Sequence, residues 1–256
     1  MELLLRLFKG MFQMKAGKKQ EEKNELVQSF LFVRQALGVI GFSLPISLLL
    51  YSFYSRTEIQ PSISEYYHTP MGDVLVGALC AIGVFLLTYK GYKKKSAEWL
   101  SDKWVARVAG CAAIGIALFP MRNIAAGEVT NCITPASGFT CHPAFFHFGS
   151  AAVFFVCLAL FCLFIFTRGE RTDDGKIIWT PRNKMFVACG ALILLSIIAL
   201  MPYMFFDVKE TLDPYKYMFF WETVGVLAFA SSWLTKGRIY SELKAMIGRM
   251  GSRISR

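Results

Sequence analysis

The chain has 256 residues, 55% of them hydrophobic and 18% charged, with a mean hydropathy of +0.44 and a net charge of +10. A soluble domain of this length carries about 25% charge and lacks uncharged runs near the roughly 20 residues that cross a bilayer. Several such runs occur here, which excludes a soluble enzyme, a disordered chain and a disulfide-dense secreted module.

The pattern predicts an all-α fold, a polytopic membrane bundle of six helices. Residues 1–28 form a basic arm in which Glu2, Arg6, Lys9 and Gln13 recur at helical spacing opposite Leu4, Leu5, Phe8, Met11 and Phe12. That spacing describes an amphipathic helix lying in the membrane interface. Arg6 and Lys9 interrupt the apolar run and no small-residue cleavage site follows, so the arm does not read as a cleavable signal. Spans are predicted at about 29–54, 70–90, 104–121, 143–167, 185–206 and 216–235. Pro45 falls inside the first, where neighbouring groups can satisfy the carbonyl it frees. The third is short, and Gly110, Ala112, Ala113, Gly115 and Ala117 mark it as a packing helix. Arg107 at its start is placed to snorkel toward headgroups. Residues 237–256 form a basic tail that repeats the amphipathic pattern more weakly through Ile239, Leu243, Met246, Ile247 and Met250.

The basic residues sit in blocks between spans. The arm with Arg34, the second-to-third connection, the fourth-to-fifth connection and the tail together hold 24 of the 28 Lys and Arg. Only Arg56, Arg122, Lys209 and Lys216 fall on the other side. This asymmetry predicts both termini in the cytoplasm; the membrane expected is the bacterial inner membrane. The partners it implies are membrane lipids, with no nucleic acid; oligomeric state is left open.

Five cysteines, Cys80, Cys111, Cys157, Cys162 and Cys189, lie inside spans and read as small packing residues. Cys132 and Cys141 share the long outer loop, where an oxidising compartment would let them form a disulfide.

The three histidines, His68, His142 and His147, all fall at outer span ends. Asp73 and Glu222 reach a similar depth, Glu222 about 20 Å above the cytoplasmic boundary. Acids so placed are costly and face a bundle interior or a watery cavity. Two or three imidazoles with a carboxylate suit zinc, with His68, His142 and His147 as ligands, Asp73 in support and Glu222 as acid/base. The spacing opposes this in part, because His142 and His147 diverge by about 140° on an ideal helix. A metal-free polar site and simple capping with interhelical bonding are the competing readings. Beside the cluster, Ser64, Glu65, Tyr66 and Tyr67 supply hydroxyls, a carboxylate and rings suited to a headgroup pocket, or to an aromatic belt and helix cap.

Pro61-Ser62-Ile63-Ser64, then Asp73-Val74-Leu75-Val76-Gly77, resembles the loop-to-second-span signature of a group of bacterial six-span membrane proteins of unassigned activity. Tyr89-Lys90-Gly91-Tyr92, Ala117-Leu118-Phe119-Pro120, Phe220-Trp221-Glu222 and Ser232-Trp233-Leu234-Thr235-Lys236-Gly237 belong to the same pattern, which covers about residues 30–237. The proline–isoleucine–serine element is distantly similar to that of the DRAM and GPI-lipid-remodelling families. That resemblance implies lipid handling from the non-cytoplasmic side. The order His68, Asp73, His142, His147 is also similar to the zinc set of CREST hydrolases, the alkaline ceramidases among them. Here there are six spans instead of seven, and the paired histidines stand five residues apart instead of four.

The expectation is an integral membrane protein whose outer-facing polar pocket binds a lipid headgroup or small ligand. A zinc-dependent lipid hydrolase is the sharper alternative. A transporter, sensor or scaffold without catalysis is the other; transport ranks lower, since only Pro45 breaks a span near mid-membrane.

Overall fold

The computed structural model describes residues 28–29, 31–91, 100–120, 132–133, 140–141, 143–170, 176–206 and 208–238. The amphipathic arm, the lysines Lys93–Lys95, His142 and most of the tail lie outside the described residues. Six long helices occur among those described: α1 (Leu31–Tyr54), α2 (Gly72–Thr88), α3 (Asp102–Leu118), α4 (Pro143–Leu160), α5 (Pro181–Phe205) and α6 (Tyr217–Lys236). Each lies within four residues of its predicted bounds, apart from the end of α4. Leu31–Tyr54, Phe146–Arg168 and Pro181–Tyr203 are long and apolar enough to cross a membrane.

Helix ends follow local chemistry. Thr180 caps α5 by accepting from the Asn183 N–H at 3.2 Å, and Pro181 takes the first-turn position where its missing N–H costs nothing. α2 begins at Gly72, two residues beyond Pro70, because Thr69 turns the chain first. Its hydroxyl donates to the Tyr66 carbonyl at 2.7 Å and accepts from the Met71 N–H at 3.2 Å. Gly72 has the Tyr67 carbonyl where a β-carbon would stand, so only glycine lets α2 start this close to the preceding turn. α4 does not stop at Leu160. It continues through a π turn over Phe161–Ile165 and a 3-10 turn over Phe166–Glu170. There Phe161 packs tilted and Phe166 edge-on against Trp233 of α6, beside Tyr89.

Consecutive helices from α2 to α6 pack on one another, and α1 closes on α6 through Gly38 against Leu234 and Gly41 against Phe229. Of the small residues that mark α3, Gly110, Ala112, Ala113 and Ala117 are buried and Gly115 is half-buried, and Ala106 and Ala109 are buried with them. Gly83 of α2 and Gly110 of α3 meet backbone to backbone, since a β-carbon on either would reach the other's carbonyl at about 3 Å. Between α3 and α4, a short antiparallel ladder pairs Cys132 with Cys141 and Ile133 with Thr140. Cys157, Cys162 and Cys189 are buried packing residues, Cys80 is half-buried and Cys111 is exposed.

A polar layer ties the ends of α1, α2, α3, α4 and α6 that are opposite the ladder. Arg168 donates to Asp102 Oδ1 at 2.6 Å and to the Leu100 carbonyl at 2.7 Å. Arg34 donates to the Tyr89 hydroxyl at 3.0 Å, and Lys236 to the Phe166 carbonyl at 3.1 Å. Gly91, at φ +60, packs on Asp102 where no side chain fits. Much of the signature around Tyr89, Gly91 and Trp233 is thus structural.

Candidate functional site

At the other end of the bundle the chain between α1 and α2 crosses toward α6, held at several points. Phe219 N–H donates to the Pro61 carbonyl at 2.8 Å, and Ile63 N–H donates to Glu222 Oε2 at 2.6 Å. Ser62, fully buried, accepts from the Glu65 N–H at 3.1 Å. The 3-10 turn Ser64–His68 follows, anchored by Tyr66, whose hydroxyl shares a 2.6 Å hydrogen bond with Ser52 of α1. Proline and two small hydroxyl residues thus give a stiff connection whose backbone groups have partners on α6.

Ser64 faces α4. His147, buried in the first turns of α4, has its Nδ1 2.7 Å from the Phe119 carbonyl and its Nε2 2.9 Å from Ser64 Oγ. A carbonyl only accepts, so Nδ1 carries the hydrogen; in the uncharged ring Nε2 is then the acceptor for the Ser64 hydroxyl. Ser64, His147 and Glu222 border a recess of about 100 Å³ between α4, α5 and α6. Its remaining wall is almost wholly apolar, formed by Phe148, Phe155, Ile197, Leu200 and Met218 among others, with Tyr203 at the polar end. The Tyr203 hydroxyl donates to Asp213 at 3.1 Å.

Of the residues singled out in the sequence, this recess brings together Ser64, His147 and Glu222. His68 and Asp73 are exposed and do not line it. Tyr66 belongs to the core, with no surface left for a ligand. Glu65 and Tyr67 are half-buried and outside the lining. His142 lies outside the described residues, as do the side chains of Cys132 and Cys141. Among the described residues no group of three or more His, Cys, Asp or Glu stands ready to hold a metal ion, and both nitrogens of His147 are already engaged. Glu222, expected as an acid/base, spends one oxygen on the Ile63 N–H and so braces the loop that carries Ser64.

Three elements of the site escape sequence reasoning. The Ser64–His147 contact joins residues 83 apart, and the Phe119 carbonyl has no sequence signature. Tyr203 carries no motif that sets it apart. No protein-family model, no curated protein and no solved structure matches the chain.

Proposed function

We propose that this chain is an integral membrane protein of six spans with both termini in the cytoplasm, whose outer recess binds one end of a lipid or a small amphiphile. Large apolar side chains are exposed on all six helices, among them Phe42, Val84, Val108, Val156, Leu195 and Phe220. An apolar perimeter of that extent is the surface that lipid covers. Exposed aromatics gather at helix ends: Trp104 and Trp179 where α3 and α5 begin, Phe53, Tyr54 and Tyr215 at the opposite level. Two such girdles suit the two interfaces of one bilayer.

The observation that carries the binding reading is a recess with an apolar wall and a Ser–His–Glu polar end. Its volume of about 100 Å³ is below the roughly 300–1,000 Å³ of pockets that enclose a whole small molecule. It therefore takes the junction between a polar head and an apolar chain, and the rest of the chain stays in the bilayer. Met201, 45% exposed, belongs both to the wall and to the outer surface, which gives a ligand a lateral way in. The resemblance to lipid-remodelling families points to the same theme.

Native mass spectrometry of protein purified in mild detergent tests this. Wild type should retain a bound lipid or amphiphile, and Ala152→Phe, which puts a ring into the recess wall, should lose it while staying folded. Wild type with no retained lipid, or equal retention in the variant, would overturn the reading.

A further inference from the structure

We propose that Ser64 and His147 form a nucleophile–base pair that accepts an acyl group from an oxygen ester held in the recess. The inference rests on the amphiphile-binding reading and goes beyond it. An activated serine needs a base within hydrogen-bond reach and a third group that fixes the base's tautomer and orientation. All three are present: Ser64 Oγ, His147 Nε2 at 2.9 Å, and the Phe119 carbonyl 2.7 Å from Nδ1. The carbonyl takes the orienting place that a carboxylate occupies in the familiar triads.

Position supports the same role. Ser64 lines the recess together with His147, Glu222 and a largely apolar wall, so an ester whose acyl chain lies along that wall comes within reach of its hydroxyl. The loop beneath it is braced by Glu222 on Ile63 and by Phe219 on Pro61, so the hydroxyl is held against the base before any substrate arrives. Ser62, two residues earlier, is fully buried and its hydroxyl is spent within the loop, so it does not compete. A pair serving only to staple the loop to α4 would not need to border the recess.

The reaction balances with an acyl ester and water as reactants. Ser64 Oγ adds to the ester carbonyl carbon as its proton passes to His147 Nε2. The tetrahedral adduct collapses, the bond to the alcohol oxygen breaks, and Nε2 returns the proton to that oxygen, leaving acyl-Ser64 and a free alcohol. Water then adds to the acyl carbon, giving a proton to Nε2. Release of the carboxylic acid returns that proton to Ser64.

A long-chain alkyl fluorophosphonate tests the pair, because its P–F bond breaks under attack by an activated serine and fluoride leaves. Detergent-purified wild type should gain one covalent adduct, mapped by peptide mass spectrometry to Ser64. Ser64→Ala should show none, and His147→Gln should label about 100-fold more slowly or worse. Should His147→Gln fail to fold, Ser64→Cys replaces it: with His147 intact, its thiol should alkylate with a lipophilic iodoacetamide well ahead of exposed Cys111. Wild type that stays unlabelled yet retains its lipid would overturn the nucleophile while sparing the binding reading. Labelling undiminished in a folded His147→Gln, or a Ser64→Cys thiol no faster than Cys111, would overturn the pair. Loss of both lipid and label in wild type would remove both readings.

Discussion

Glu222 offers the most direct test of how the Ser64 loop is held. Its carboxylate accepts from the Ile63 N–H at 2.6 Å, and Ile63 is itself in the core. Glu222→Ala leaves that donor buried without its acceptor, at a cost of about 1–3 kcal/mol. Glu222→Gln keeps an oxygen in the same place and should lose less than half as much. Thermal unfolding in detergent checks both, and equal losses would show that the negative charge matters more than the acceptor. Glu222 and His147 stand out in the sequence because polar groups at that predicted depth are expensive and must find partners. His68 and Asp73 share the depth without sharing the direction. Leu75, Leu79, Ile82 and Leu86 define the buried stripe of α2. Asp73, two residues before Leu75, points about 200° away from it at 100° per residue. Depth follows from counting along a helix; direction needs the stripe, and a stripe is faint where both faces are apolar. Ser64 was visible only as a hydroxyl near the interface, since nothing local ties it to a residue in α4.

Two glycines on adjacent helices separate packing from composition. A leucine at Gly110 meets the Gly83 carbonyl and Leu87 within about 3 Å, so α2 and α3 must move apart. Gly77 has nothing within 4 Å of where its β-carbon would be, and it faces outward. Gly110→Leu should therefore destabilise by about 1–3 kcal/mol, the cost of overpacking, whereas Gly77→Leu should leave the unfolding temperature unchanged or raise it. A similar drop in both variants would mean that helix contact at Gly83 and Gly110 is not what holds this pair together. The role of α3 as a packing helix was readable from its small residues, because close approach of two backbones selects for them. The π turn in α4 is not readable: nothing in Phe161-Cys162-Leu163-Phe164-Ile165 breaks a helix, and the Trp233 ring that Phe161 and Phe166 pack against lies far along the chain. Asp102 was likewise missed, since its partner Arg168 lies 66 residues away and counts in the sequence only as one more cytoplasmic charge.

For the molecule as a whole, the proposed orientation, with both termini in the cytoplasm, rests on the charge asymmetry of the sequence. α2 and α3 have 17 residues each, about 26 Å of helix, at the short end of what spans a hydrocarbon core of about 30 Å. The ends of short spans need anchors in the interface, and Trp104, with the Arg107 guanidinium 5.2 Å from its ring centre, would supply one on the side that the proposed topology puts in the cytoplasm. The ladder pairing Cys132 with Cys141 belongs to the opposite side on this topology. Directly opposed residues in an antiparallel ladder have Cα atoms about 4.5–5.5 Å apart, within the span of a disulfide. The two thiols should therefore be found joined wherever that side is oxidising. Reporter fusions at either terminus should be active only in the cytoplasm. A membrane-impermeant maleimide added to intact cells should label Cys132 and Cys141 only after reduction, and non-reducing peptide mapping should recover them linked. Cytoplasmic labelling of that pair, or termini on opposite sides, would break the six-span arrangement. It would also move the Ser64 recess to the wrong face for a lipid approaching from outside.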